Sequence, residues 1–233
     1  MMHPGDWSGV LRGAQQARAP GGGRSVLFVT PSSRGAVQTA ALGFAQAAAR
    51  RATRPVWLLD LDLRNNGLFH AVDPGKADAG NARARAFSAA FDAEPIYRSA
   101  AGGAIITKNG VQPAKLLTLN EVPGDNLMVS RFRVEALEGG QKLALSPSNA
   151  WWTAARAKTD WICVHALPLE ETSSALAICA DVDHVVVVVE ADATPAADIA
   201  ALKDEVEAAG GSVLGAVMVG LGADARRMSK WAV

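Results

Sequence analysis

Residues 25–39 read Ser-Val-Leu-Phe-Val-Thr-Pro-Ser-Ser-Arg-Gly-Ala-Val-Gln-Thr. The first six, Ser25–Thr30, form a short apolar run that stops at a Pro-Ser-Ser turn, as a buried strand does when it reaches a loop. Beyond the loop, Gln38–Arg51 is rich in alanine and suits a helix. A second apolar run, Val56–Leu61, follows at once. Strand, loop, helix and strand in this order make a βαβ unit, which implies parallel strands joined by a right-handed crossover.

The same alternation continues away from this unit. Upstream, residues 5–18 read as a helix with Asp6 as N-cap and Val10, Leu11 and Ala14 on one face. Pro20-Gly21-Gly22-Gly23 then reads as a short flexible joint. Downstream, Lys76–Ala93 reads as a weakly patterned helix. Ala104–Lys108 and Val111–Leu119 flank Asn109-Gly110, which predicts a hairpin on a type I′ turn. Strands are predicted at Asn126–Phe132, Trp161–Ala166, Val185–Glu190 and Val213–Val219. Helices are predicted at Pro147–Lys158, Ser173–Ala180 and Pro195–Ala209, the last stopped by Gly210-Gly211. The pattern predicts a three-layer α/β fold with a mostly parallel sheet. Its division is an N-terminal helix and linker (1–20), one domain (21–221) and a C-terminal tail (222–233).

Composition narrows the function classes. The chain has 233 residues, 49% apolar and 20% charged, enough to bury a core. Its 23 basic and 23 acidic side chains cancel, which argues against nucleic acid as a partner and against a strongly basic membrane binder. The balance is uneven along the chain: residues 1–98 carry 12 basic and 7 acidic groups. That asymmetry either neutralises itself across the fold or sets up head-to-tail contacts between subunits. Two cysteines, Cys163 and Cys179, do not make a disulfide scaffold. The longest apolar run, Val185–Val189, is far short of a membrane span, and the first twenty residues lack the apolar core of a signal peptide. The expectation is a cytoplasmic protein, brought to the membrane, if at all, by a partner.

In such folds ligands sit at the carboxyl ends of the strands. The connection from Thr30 to Thr39 has the position and length of a phosphate loop, GxxxxGK[ST], but not its chemistry. Only Thr39 keeps its type. Val37 stands where the second glycine belongs and disfavours positive φ. Gln38 stands where the lysine belongs and brings no charge. A helix N-terminus still favours an anion, though weakly by itself.

The second strand ends Leu58-Leu59-Asp60-Leu61-Asp62-Leu63-Arg64. This string resembles the hhhDxDxR segment of bacterial tyrosine kinases, the cytoplasmic P-loop domains of capsule and exopolysaccharide co-polymerases and relatives of the MinD/ParA ATPases. The family's VTS-x-x-PGEGKST has its counterpart in VTPSSRGAVQT. Its third acidic motif lines up with Trp161–Pro168, where His165 stands in the place of the aspartate. The resemblance covers about Ser25–Arg64 and Asp160–Leu221, and it implies a P-loop NTPase-like fold of the MinD/ParA and bacterial tyrosine kinase type. Of the three catalytic motifs only the second is whole. The family's C-terminal tyrosine cluster is also missing, since Tyr97 is the single tyrosine.

The resemblance therefore implies a pseudokinase: a non-catalytic adaptor in exopolysaccharide or capsule biosynthesis or export, partnered by a membrane-bound co-polymerase or chain-length regulator. Gly35, Gln38, Thr39, Asp60, Asp62 and Arg64 would form a degenerate nucleotide site, weak for Mg-ATP or Mg-ADP or empty, with no metal site and no catalytic residue. The alternatives are an atypical kinase or ATPase using Thr39, Asp60 and Asp62 with Arg34 replacing the lysine, and a MinD/ParA-like positioning protein. Asp60, Asp62 and Arg64 also read as a structural ion-pair cluster. Cys163 and His165 share a strand face, and read either as a reactive or metal-binding pair or as a buried thiol beside a satisfied histidine. Trp151, Trp152 and Trp161 read as packing or as a binding face. The family's N-terminal ExxRxxR helix, which docks into a neighbouring subunit, would correspond to Asp6-x-x-Gly9-x-x-Arg12, with one guanidinium missing. A monomer or weak dimer is expected, with Trp7 and Arg12 as interface residues.

Overall fold

The structure, a computed structural model, describes residues 7–16, 22–72, 86–88, 91 and 93–220. Asp6, most of the expected 76–93 helix and the 222–233 tail lie outside the described residues. In chain order the elements are α1 (Ser8–Gln16), β1 (Arg24–Val29), α2 (Arg34–Ala49), β2 (Val56–Asp60), α3 (Gly67–Val72), β3 (Ala86–Ser88) and β4 (Tyr97–Ser99). There follow β5 (Leu117–Glu121), β6 (Leu127–Phe132), β7 (Leu143–Leu145), α4 (Asn149–Arg156), β8 (Trp161–His165), β9 (His184–Glu190), α5 (Ala196–Ala208) and β10 (Val213–Val219). Eight strands form one sheet in the order β10-β9-β1-β8-β2-β6-β5-β3; β4 and β7 form a small antiparallel pair beside it. The strands from β10 to β6 are parallel, and β5 and β3 add an antiparallel edge. This is the three-layer, mostly parallel α/β fold that the alternation predicts.

Period-2 burial divides the core into two faces. Val26, Phe28, Val56, Leu58, Trp161, Cys163, Val186 and Val188 face α1, α2 and α3. Leu27, Val29, Leu59, Ile162, Val164, Val185 and Val187 face α4, α5 and the β4–β7 pair. Strands buried on both faces read as continuous apolar runs, which is why they stand out in the sequence. Trp151, Trp152 and Trp161 are all buried and pack inside the chain, so the structure supports packing over a binding face.

Five local expectations need correction. Helix α2 starts at Arg34, four residues before Gln38, because Ser33 caps it: Ala36 N donates to Ser33 Oγ at 3.3 Å. Asn109 and Gly110 do adopt left-handed φ, 53° and 67°, but they close a 3₁₀ turn and no hairpin. Thr107 instead bridges to Leu137, and the real hairpin joins β5 to β6 through Gly124 at φ 83°. Ser173–Ala180 holds only a 3₁₀ turn, Ser173–Ala175. Within the expected 76–93 helix, Ala86–Ser88 is a strand. Gly22 and Gly23 are not a free joint. Gly23 N donates to Arg156 O at 2.8 Å, a Cβ on Gly22 would lie 2.8 Å from Arg156 O, and one on Gly23 would overlap the Thr159 carbonyl.

Candidate functional site

The carboxyl ends of β1, β2 and β8 bring the three motif regions together. Asp60 and His165 are register partners on β2 and β8, so their side chains emerge on the same face. His165 Nδ1 donates to Asp60 Oδ1 at 2.9 Å. The same oxygen accepts Asp62 N at 2.9 Å, and Oδ2 accepts Leu68 N at 2.8 Å, in the first turn of α3. Asp60 is 2% exposed. Its oxygens already hold a loop, a helix start and an imidazole. Complete burial pushes the Cys163 thiol up, which supports the reading of a buried, unreactive thiol; the histidine beside it is held by Asp60 through Nδ1 alone.

Asp62 accepts from Asn65 N at 3.3 Å and from Asn65 Nδ2 at 2.9 and 3.0 Å. It also accepts Arg34 Nη1 at 3.1 Å. Arg34, at the start of α2, reaches the other way to Glu171, with Nε at 2.6 Å from Oε1 and Nη2 on Oε2. This fork–fork pairing holds the Glu171 carboxyl below its usual range. The backbone joins in: Leu169 N donates to Thr30 O and Glu170 N to Pro31 O, both at 3.1 Å. The loop after β1 is thus stitched to the loop after β8, and Arg34 ties both to the loop after β2.

The remaining expected site residues are more loosely placed. Gly35 lies inside α2, where an added Cβ would meet nothing within 4 Å, so no close approach there requires glycine. Gln38 is half-buried, and its Nε2 would lie 3.6 Å from a Cβ on Gly67, so its amide lies over the start of α3. Thr39 is half-buried in α2. Arg64 is exposed and donates to Gln141 O at 2.9 Å. Trp7 is 8% exposed and stands edge-on to Phe28 and Phe44, with centroids 6.3 and 6.0 Å away. Arg12 is exposed on α1. Glu171, Asn65, Asn66 and Ser130 also build the site, and the sequence reading missed them. Asn66 (φ 50°) exchanges two hydrogen bonds with the Phe132 backbone, and Ser130 Oγ accepts Asp60 N at 2.8 Å.

Among the described residues no group of three or more His, Cys, Asp or Glu is arranged to hold a metal ion. Thr30 Oγ1 and His165 Nε2 are buried without a partner there, but neither carries a cation for phosphate. A magnesium nucleotide asks for free carboxylate oxygens, a cationic side chain facing the phosphates and an open glycine cradle. This donor set does not fit one.

Solved structures share this architecture. The chimerical protein CapA2B2 superposes with a TM-score of 0.59 at 13% identity, covering 92% of this chain and 83% of its own. The VpsO kinase domain gives 0.55 at 13% identity, covering 86% of each chain. The fold is that of a tyrosine kinase domain. The BceF tyrosine kinase domain agrees, at 0.52 and 12% identity over 91% of this chain and 73% of its own. No family model matches the chain, and no curated protein matches it by sequence. Within the tyrosine kinase domain fold, the stitched loops above occupy the strand ends where ligands bind in α/β sheets.

Proposed function

We propose that this protein is a pseudokinase: a P-loop-like adaptor of exopolysaccharide or capsule biosynthesis that works through a membrane-bound co-polymerase or chain-length regulator without turning over nucleotide. One observation carries the reading. The polar groups at the strand ends bind one another, with Asp60 capping α3 and holding His165, and Arg34 bridging Asp62 and Glu171. Arg34, the one replacement for the missing lysine, is already committed to two carboxylates. The shared fold supports the setting, because the VpsO and BceF structures are kinase domains. Among the described residues no helix is long and apolar enough to cross a membrane, which suits recruitment by a partner.

Calorimetric titration with Mg-ATP and Mg-ADP tests the reading. The expected result is no binding tighter than about millimolar, worth only about 4 kcal/mol. A micromolar dissociation constant, or phosphate release above blank, favours an atypical kinase instead.

A further inference from the structure

Among the described residues three large apolar side chains are exposed, and two of them, Ile106 (60%) and Val134 (36%), sit on adjoining loops. Hydrogen bonds fix the adjacency. Ile106 N donates to Gln141 Oε1 at 2.8 Å, Arg64 Nη2 donates to Gln141 O, and Lys108 Nζ reaches Glu135 O at 3.3 Å, next to Val134. Lys142 follows Gln141 directly and is exposed. Arg64, Lys108 and Lys142 make no ion pair among the described residues; Glu135 pairs with Arg131, and exposed Glu138, whose N donates to Ile106 O, sets one acidic side chain beside them. A Cβ on Gly102, Gly103, Gly110, Gly139 or Gly140 would meet nothing within 4 Å, so these glycines border open space.

We infer that this tip, Ile106 and Val134 ringed by Arg64, Lys108 and Lys142, docks on a bilayer surface bearing anionic phospholipids. Exposed aliphatic side chains beside cations that no carboxylate pairs match an interface with apolar depth and negative headgroups. The chain's net charge of zero means that the attraction belongs to the patch and not to the whole molecule. The inference stands apart from the adaptor reading, since a bare vesicle contains no partner protein.

The test is flotation with vesicles of phosphatidylcholine alone and of phosphatidylcholine mixed with phosphatidylglycerol. Wild type is expected to float only with the anionic vesicles and to be released by salt. Lys108→Gln with Lys142→Gln should weaken binding roughly 25-fold, at about fivefold per cation, and Ile106→Ser should weaken it with an unchanged salt dependence. Arg50→Gln with Arg51→Gln, at the exposed far end of α2, should leave binding intact. All these positions are exposed, and circular dichroism confirms folding. Three results would each overturn the inference: no flotation of wild type, equal flotation with both vesicle types, or loss through Arg50 and Arg51 as large as through Lys108 and Lys142. The first would point to a protein as the occupant.

Discussion

At the scale of single residues, burial separates the ties at the strand ends. Asp60 serves three donors in a buried setting. Asp60→Ala strands Leu68 N, Asp62 N and His165, and should cost about 3 kcal/mol or more in urea unfolding. Arg34 is 48% exposed on its side chain, so Arg34→Ala should cost under about 1 kcal/mol. Equal losses would show that burial does not separate the two ties. Gln38→Lys alone should not restore nucleotide binding, because α2 still starts at Arg34 and Asp60 stays occupied. His165→Asp would set a second carboxylate against Asp60, and should destabilise. Tyr97 is 2% exposed, donates its hydroxyl to Pro113 O at 2.7 Å, and is pushed by burial up to about 12. Mass spectrometry of protein made without another kinase should find no phosphate on it.

Elements tell which parts of the sequence were readable. The two-sided strands were legible because each is an unbroken apolar run. The Asp60–His165 contact was not, since it arises from the pairing of β2 with β8, more than a hundred residues apart in the chain. Glu171 was hidden for the same reason. The Asn109-Gly110 turn misled because local φ preference says nothing about which strands pair. Helix α1 shows the balance of local and tertiary forces: it is short and rests on Trp7, Leu11 and Ala14. Trp7→Ala should cost about 3 kcal/mol. Gly43→Ala places a Cβ 3.0 Å from Trp7 Nε1 and should loosen the same helix, by about 1–3 kcal/mol. Arg12→Ala should leave stability within about 0.5 kcal/mol, so a loss of membrane recruitment in that variant reports on a partner. His184 opens β9 beneath α1. Burial first, then Arg24, lowers its pKa against the opposing pull of Asp183 and the Ala14 carbonyl. The unfolded chain therefore takes up this proton first. The contribution is complete above the ordinary value of 6.5 and is lost as pH falls below it. His184→Gln should flatten that decline in thermal midpoint.

For the whole molecule, one further acid step is expected. Partial burial opposes the charge of Asp160, but hydrogen bonds from Arg54 and Thr53 outweigh it and hold the carboxyl at about 2. Its contribution is present above the ordinary 3.8 and is lost as pH falls from there to about 2. Asp160→Asn should remove that second step and leave the one near neutrality. Light scattering should give the mass of one chain or of two. A stable larger oligomer would show that the single arginine of α1 suffices for docking into a neighbouring subunit.

The glycine-wide passage at Gly22 and Gly23 has a mechanical meaning. Tension on the amino end runs through that passage into β1, which has parallel neighbours, β8 and β9, on both sides. Helix α1 lies upstream and should peel away first at low force. The pull then meets two ladders loaded along their length, so their hydrogen bonds give way together and not one by one. A domain tethered from that end would transmit load through its centre, as a bolt does, while the loops at the opposite ends of the strands stay undisturbed.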